Sequence, residues 1–215
     1  MSSTLNIYVK PLDIREAKAV YIGNAHQDFP QNELKSFSMI EDLWNKGFYR
    51  GYGFYENVGE SAETGSAEVR SAEATAGKDI LRGYAFTMAD PDAHILLVDY
   101  FAVCEEARGK GYGGKALALL KESCTEWDGI IFEVEDDESA ESEEERLLRQ
   151  RRISFYEKNG VEMTKDRSYA FGVDYKLMVL PVTDEKAGEG VGEKLSSIYQ
   201  KMLSEQIFQT MFRLR

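Results

Sequence analysis

Two short, almost wholly apolar runs separated by a glycine-rich turn constrain the fold of this chain most. Residues 94–103 read HILLVDYFAV and residues 129–134 read GIIFEV. Apolar runs of this length with little alternation are typical of strands buried on both faces of a sheet. Between them, VCEEARGKGYGGKALALL carries four glycines and begins a helical apolar pattern near Tyr112. We therefore expect a central strand, a glycine turn, a helix and a second buried strand.

Strands and helices alternate along the rest of the chain. Period-two patterns and aromatic-rich runs predict further strands at residues 5–10, 48–58, 80–90, 161–170 and 172–180. Helical spacing of apolar residues predicts helices at residues 13–26, 32–47, 112–127, 143–159 and 193–215. Asn32 is expected to cap the second of these helices, and Gly160 is expected to end the fourth.

Two inserts of low complexity interrupt the pattern. Residues 61–75 repeat SAETG, SAEVR and SAEAT. They carry too little apolar surface to offset the entropy of ordering, so a mobile hairpin loop is expected within 59–78. Residues 135–145 hold eight acids in eleven positions and are expected to form a solvated loop that leads into a helix. The arginines of that helix are expected to pair with these acids; they are Arg146, Arg149, Arg151 and Arg152.

The chain is long enough for one well-cored domain with an appendage. We expect a domain over residues 1–182, then a linker and an amphipathic helix over 183–215. The wide apolar stripe of that helix must be covered. We expect it to pack back on the domain, with a homodimer seam as the next alternative and a partner or membrane surface last.

Composition excludes several classes of protein. The net charge of −12 and the absence of a basic stripe argue against a nucleic-acid partner. No apolar run approaches the roughly 20 residues of a membrane helix, and the amino terminus does not resemble a signal peptide. The two cysteines, Cys104 and Cys124, favour a reducing compartment, so we expect a soluble cytoplasmic protein. No His/Cys cluster has the spacing of a metal site.

The glycine turn has the features of an anion site. Amides at a helix N-terminus attract negative charge, and glycine allows a phosphate to approach closely. Arg108, Lys110 and Lys115 add positive charge. The segment GKGYGG also fits the dinucleotide pattern G-x-G-x-x-G, although it follows several strands instead of the first one. A P-loop is excluded because no Gly-Lys-Ser/Thr closes the run, and a plain flexible turn would not need flanking cations.

The string DYFAVCEEARGKGYGGKALALL resembles the acyl-CoA-binding segment of the GNAT superfamily of N-acyltransferases. Arg108, Gly111 and Gly113 fill the signature Gln/Arg-x-x-Gly-x-Gly/Ala. Downstream, IIFEV and RRISFYEKNGVEM resemble the next strand of that family and its tyrosine-bearing helix. The order of elements agrees over residues 5–182, and the motifs agree over 95–163. The resemblance implies an α/β (α+β) fold with a mixed, mostly antiparallel central sheet flanked by helices.

The same resemblance implies acetyl-CoA as co-substrate and a set of residues that bind it. The pantetheine arm would pair with the central strand, and the Val103 N–H would bond the thioester carbonyl. The amides from Arg108 to Gly114 would cradle the pyrophosphate. The implied cofactor-binding residues are Phe101, Ala102, Val103, Arg108, Gly109, Lys110, Gly111, Tyr112, Gly113, Gly114 and Lys115.

An amine would attack the thioester directly, which leaves two proton transfers. The resemblance places Tyr156 as general acid for the departing thiolate. Glu133 matches a position that serves as base in some members of the family, and Asp99 and Glu33 are alternatives. Asp99 shares a face with Phe101 if the strand is regular, and a β-bulge would change that.

Two further features bear on the chemistry. No asparagine lies between Val134 and Tyr156, where many relatives carry one that contacts the cofactor. A covalent route through Cys104 lacks an activating histidine within reach. The predicted function is acetyl transfer to a primary amine, of small-molecule or peptide origin, and the acidic insert would suit a cationic acceptor. A catalytically silent acyl-CoA sensor and a nucleotide-binding protein are the alternatives.

Overall fold

The computed structural model describes residues 5–58 and 78–215. The strands are β1 (Ile7–Pro11), β2 (Tyr49–Val58), β3 (Lys78–Asp90), β4 (Ile95–Val103), β5 (Gly129–Glu135), β6 (Glu162–Ala170), β7 (Val173–Pro181) and β8 (Phe212–Leu214). The helices are α1 (Ile14–Val20), α2 (His26–Asp28), α3 (Phe37–Asn45), α4 (Tyr112–Ser123), α5 (Glu143–Lys158), α6 (Val191–Met202) and α7 (Glu205–Met211). The three-fold SAE repeat lies outside the described residues.

All eight strands form one sheet, in the order β1-β2-β3-β4-β5-β7-β6-β8. Every neighbouring pair is antiparallel except β4 and β5, which run parallel. Parallel neighbours need a crossover connection, and α4 provides it. The mixed, mostly antiparallel sheet expected from the sequence is therefore confirmed.

Helices cover both faces of the sheet. One face packs against α1, α3 and α6; its buried helical residues include Ala17, Ile40, Leu43, Leu195 and Ile198. We call it the α1/α6 face. The other face packs against α4 and α5; its buried helical residues are Ala116, Leu117, Leu120 and Ile153. We call it the α4/α5 face. Because β4 and β5 are covered on both sides, their almost wholly apolar sequences are accounted for.

The predicted start of the second helix is wrong by one turn. Gln31–Glu33 forms a separate 3-10 turn, and Leu34 is extended. The α-helix begins at Phe37, where the Ser36 hydroxyl accepts a hydrogen bond from the Met39 N–H at 3.3 Å. Ser36 is therefore the cap, because the extended residues before it separate Asn32 from the helix.

The carboxy-terminal segment differs from the single helix that the sequence predicts. A break at Leu203 separates α6 from α7, which the Ser204 hydroxyl caps, and β8 then pairs with β6. The expectation that the apolar stripe packs back on the domain is confirmed, since Leu195, Ile198 and Phe212 join the core of the α1/α6 face.

The acidic insert is more ordered than a solvated loop. Asp137 is buried, and its carboxylate accepts a hydrogen bond from the Lys176 ammonium on β7 at 2.6 Å. Pairing of the α5 arginines with acids is confirmed for three of the four; the pairs are Arg146 with Glu143, Arg149 with Glu145, and Arg152 with Glu135, each at 2.6 Å. The insert is therefore fixed to the sheet by ion pairs.

None of the helices in residues 5–58 and 78–215 has the length and hydropathy that a membrane span requires.

Candidate active site

The sheet opens between its two parallel strands. Residues 95–98 of β4 pair with residues 129–132 of β5, and the pairing ends at Val98 opposite Phe132. Beyond that point β4 continues to Val103 and β5 to Glu135 without pairing with each other. We call the space between residues 99–103 and residues 133–135 the β4–β5 gap. It exposes strand edges in the middle of the sheet, where backbone groups remain free for a ligand.

Two amides of β4 face this gap. The Cys104 N–H donates to the Arg82 carbonyl of β3 at 2.9 Å. Since alternate residues of an antiparallel strand face the partner, Ala102 also turns its backbone groups toward β3. Phe101 and Val103 consequently direct theirs away from β3, into the gap. The expected use of the Phe101 and Val103 amides is compatible with this geometry, whereas Ala102 has no free amide to offer.

A β-bulge at Asp99 changes the facing of the candidate base. Tyr100 pairs with Phe86 and Val98 pairs with Thr87, so Asp99 has no partner on β3. Two successive side chains, those of Asp99 and Tyr100, therefore lie on the α1/α6 face. Phe101 packs on the α4/α5 face. Of the two expected alternatives, the regular strand and the β-bulge, the bulge is found, so Asp99 and Phe101 lie on opposite faces.

The Asp99 carboxylate is held by a lysine and a tyrosine. The Lys35 ammonium lies 2.6 Å from Asp99 Oδ1, and the Tyr49 hydroxyl donates to Oδ2 at 2.5 Å. Both partners come from parts of the chain far from residue 99, and their spacing carries no local signal. Sequence reasoning missed both residues.

Glu133 lies on the same face, one residue beyond the last β4–β5 pair. Its carboxylate accepts hydrogen bonds from the Ser168 hydroxyl at 2.8 Å and from the Tyr199 hydroxyl at 2.6 Å. Burial raises the pKa of Glu133, while the two hydroxyl donors and the nearby Lys35 charge oppose the rise. Tyr199 belongs to α6, so the carboxy-terminal segment contributes directly to the environment of a candidate base. The sequence gives no sign of that contact.

Tyr156 lies on the opposite face of the sheet. Its ring centroid is 4.8 Å from that of Phe132, the residue at the closed end of the gap. Burial raises the pKa of Tyr156 to about 12, and among the described residues no hydrogen bond contributes to that shift. The phenol is therefore protonated at neutral pH and free to donate. The gap thus lies between a proton donor on one face and two carboxylates on the other.

The glycine turn follows β4 directly and leads into α4. Gly109 and Gly111 have φ angles of 72° and 88°, in the region that glycine adopts without strain. The first amides of α4 have no partner inside the helix, and Gly111, the N-cap, makes no side-chain capping hydrogen bond to them. Arg108 donates through Nε to the Val103 carbonyl at 3.0 Å. The turn therefore presents free amides at the end of the strand that borders the gap.

Lys110 and Lys115, the other charged residues of the turn, are held less tightly by the protein than Arg108. The Lys110 ammonium donates to the Glu106 carbonyl at 2.7 Å, and Lys115 is exposed one turn into α4. The Tyr112 side chain is buried against β1, where it packs with Ile7. The two lysines can therefore turn toward an anion, whereas Tyr112 contributes its amide.

Gly113 and Gly114 have a packing role that the motif alone does not reveal. A Cβ on Gly114 would lie 2.4 Å from the Asn159 side-chain oxygen, and one on Gly113 would lie 3.0 Å from the Phe155 ring. These glycines therefore let α4 approach α5, the helix that carries Tyr156.

The structure also argues against a covalent route through Cys104. Burial raises the pKa of this thiol to about 11, so the nucleophilic thiolate is scarce at neutral pH. Among residues 5–58 and 78–215, no group of three or more His, Cys, Asp and Glu side chains could hold a metal ion.

Comparison with solved structures identifies the fold. An acetyltransferase assigned to the GNAT family from Bacteroides thetaiotaomicron superposes with a TM-score of 0.57 and 19% identity, over 88% of this chain and 96% of its own. A chimera built on the spermidine N-acetyltransferase of Vibrio cholerae gives 0.54 and 13%, over 83% and 96%. The ribosomal-protein alanine N-acetyltransferase of Escherichia coli gives 0.52 and 14%, over 86% and 97%. No protein-family model and no curated protein matches the sequence.

Proposed function

The chain has the fold of the GNAT acetyltransferases, and we propose that it is an N-acetyltransferase which transfers the acetyl group of acetyl-CoA to a primary amine by direct attack. The observation that carries the proposal is the β4–β5 gap, with the free amides of Phe101 and Val103 on its edge. The glycine turn continues from that edge, and candidate proton-transfer groups lie on both faces.

The proposed position of the cofactor is inferred from the hydrogen-bond donors along β4. The pantetheine arm would add to the exposed edge as a strand, and the Val103 amide would bond the thioester carbonyl. A fixed donor of this kind stabilises the oxyanion that forms on attack, typically by about 3 kcal/mol. The amides between Arg108 and Gly114 would take the diphosphate, with Lys110 and Lys115 adding charge.

The proton transfers divide between the two faces. The acceptor ammonium must lose a proton before it attacks, and Glu133 or Asp99 would accept it on the α1/α6 face. Tyr156 would donate to the departing sulfur on the α4/α5 face. The pKa of Tyr156, about 12, lies above the roughly 8.5 of a free thiol, so this phenol serves mainly as a hydrogen-bond donor to the developing thiolate.

The acceptor side of the gap favours a cation. Burial raises the pKa of Tyr175, and the negative charges of four carboxylates raise it further; they are Glu133, Glu33, Glu135 and Asp99. A surface pocket is lined by Asp136, Glu138, Asp174, Ser168 and Tyr175, and also by Arg167 and Arg215, which pair with Asp136 and Asp174. Ser168 also binds Glu133, so this pocket adjoins the candidate base. The preference for a cationic amine therefore rests on the four carboxylates around Tyr175, and the acidic insert forms part of the pocket wall.

Calorimetry with CoA tests the cofactor site through two matched glycines. Gly111, before α4, and Gly160, after α5, have nearly equal φ angles of 88° and 82°. Alanine at either position costs about 1–2 kcal/mol in the left-handed region. Gly111→Ala should weaken CoA binding about tenfold, equivalent to about 1.4 kcal/mol, because relief of the strain turns the loop amides. Gly160→Ala should lose similar stability and keep its affinity. No binding of CoA by the wild type would refute the site.

Turnover tests the reaction itself. The wild type should release CoA thiol from acetyl-CoA when primary amines are added, and diamines should be better acceptors at low salt than at high salt. Tyr156→Phe should slow release by about 100-fold. Tight CoA binding without turnover across a broad amine panel would favour the silent acyl-CoA sensor. Stabilisation by NAD or ATP in a thermal-shift assay, without an effect of CoA, would favour a nucleotide-binding protein.

A further inference from the structure

One ammonium group of the protein already lies on the α1/α6 face of the gap, where the amine acceptor would bind. Lys35 Nζ is 2.6 Å from Asp99 Oδ1, and its side chain is only 19% exposed. Asp99 is the bulged residue at the closed end of the gap, next to the stretch whose amides face the cofactor position. The positive charge of Lys35 also acts on Glu133, the second candidate base. The Lys35 ammonium therefore contacts one candidate base, and its charge acts on the other.

The backbone of Lys35 is fixed on both sides. Its N–H donates to the Tyr100 hydroxyl at 3.0 Å, and its carbonyl accepts from the Tyr21 hydroxyl at 2.8 Å. The Tyr100 hydroxyl in turn donates to the Glu33 carbonyl at 3.0 Å. The ammonium lies 5.5 Å from the centroid of the Tyr100 ring. Buried tyrosines thus hold this loop so that its lysine points at Asp99.

Two other lysines with little exposure provide a contrast. Lys176 is paired with three carboxylates of the acidic insert, and Lys201 is paired with Asp90 and Asp92. Each of these ion pairs ties two elements together. Within the described part of the chain, Lys35 is paired with a single carboxylate, and that carboxylate is a candidate base.

We propose that Lys35 is a modification site which the protein acetylates in an intramolecular reaction with bound acetyl-CoA. The proposal rests on the proposed function, because it uses the same cofactor site and the same hydrogen-bond donor. It adds a specific acceptor, the ammonium group of this chain itself.

The reaction balances with the groups present. The Lys35 ammonium gives one proton to Asp99, and the neutral amine attacks the thioester carbonyl. The new C–N bond forms as the C–S bond breaks, with the Tyr156 hydroxyl donating a hydrogen bond to the departing thiolate, which takes up one proton from solvent. Asp99 passes its proton to solvent, and the second proton of the nitrogen follows through the carboxylates. The products are N-acetyl-Lys35, CoA thiol and one released proton.

The test is incubation of the full chain with radiolabelled acetyl-CoA and no added amine, followed by peptide mapping. Label should accumulate on Lys35 to about one acetyl group per chain. The rate constant should not depend on protein concentration, because the transfer is intramolecular. Tyr156→Phe should slow it by about 100-fold. Lys35→Arg keeps a cation for Asp99, so it should fold normally and lose the label.

A control and the opposing outcomes make the test decisive. Lys46→Arg, at the end of α3, should leave the labelling of Lys35 unchanged. Turnover of added amines with Lys35 unmodified would overturn this proposal and leave the proposed function intact. Labelling of Lys35 that Tyr156→Phe does not slow would be chemical acetylation and would also overturn it. If the protein shows no labelling, no turnover of amines and no binding of CoA, the proposed function itself is refuted.

Discussion

Replacing Tyr199 with phenylalanine would remove one of the two hydroxyl donors that hold Glu133. The Tyr199 hydroxyl donates to Glu133 Oε2 at 2.6 Å, and the Ser168 hydroxyl donates to Oε1 at 2.8 Å. The ring of residue 199 packs 4.5 Å from that of Phe212, centroid to centroid, and the variant keeps this contact. The substitution therefore changes the charge environment of Glu133 with little change in packing.

The size of the pKa change follows from the free energy that the lost hydrogen bond contributes. A hydrogen bond to a charged group contributes about 1.5–3 kcal/mol. Because one pKa unit corresponds to about 1.4 kcal/mol, the pKa of Glu133 should rise by about 1–2 units. The direction is upward because the hydroxyl stabilises the ionised carboxylate. If Glu133 is the base, it must be ionised to act, so the acidic limb of kcat/KM moves to higher pH.

The assay is the pH profile of kcat/KM for a chosen primary amine, with wild type and variant compared over the same range. At pH values above both limbs the two rates should converge, which a general packing defect would not produce. Tyr8→Phe, on the edge strand β1 far from Glu133, is the matched control and should leave the profile unchanged. An unshifted acidic limb in Tyr199→Phe would show that Glu133 is not the base.

Two predictions concern stability. Gly114→Ala should be destabilising because the new Cβ would lie 2.4 Å from the Asn159 side-chain oxygen. Adding Asn159→Ala should remove that penalty. A double variant as unstable as Gly114→Ala alone in urea unfolding would contradict the packing argument. Lys201→Met should cost about 2–3 kcal/mol in urea unfolding, because it leaves the fully buried Asp90 carboxylate without its cation. The pairing lowers the pKa of Asp90 below 3.8, so its stabilisation is present above that pH and lost below it. The difference between wild type and Lys201→Met should therefore shrink in acid, and a constant difference would argue against this pair.

The features that the sequence predicted correctly are local. Apolar runs identify β4 and β5, the glycine turn and the helix after it lie together in the chain, and the stop at Gly160 follows from its φ of 82°. Each depends on a few neighbouring residues and on the periodicity of one element. Tyr156 on its helix belongs to the same class, although its catalytic role stays a prediction.

The features that the sequence missed depend on contacts between distant segments. Tyr199 reaches Glu133 across 66 residues and Lys35 reaches Asp99 across 64. No periodic pattern encodes such pairs, because they follow from how separate elements pack. The bulge is a different case: it is one of the two alternatives that the sequence leaves open at Asp99, but HILLVDYFAV is apolar on both faces and its pattern does not reveal where the register shifts.

That bulge gives β4 an unusual tolerance to loss of one residue. Removing a residue from a regular strand turns everything beyond it to the wrong side of the sheet. Asp99 is already the surplus residue, so its deletion would restore unbroken alternation, with Leu97 and Tyr100 still on the α1/α6 face and Val98 and Phe101 still on the other. Loss of the single codon for Asp99 would therefore remove this carboxylate from the chain and leave the architecture of the sheet unchanged.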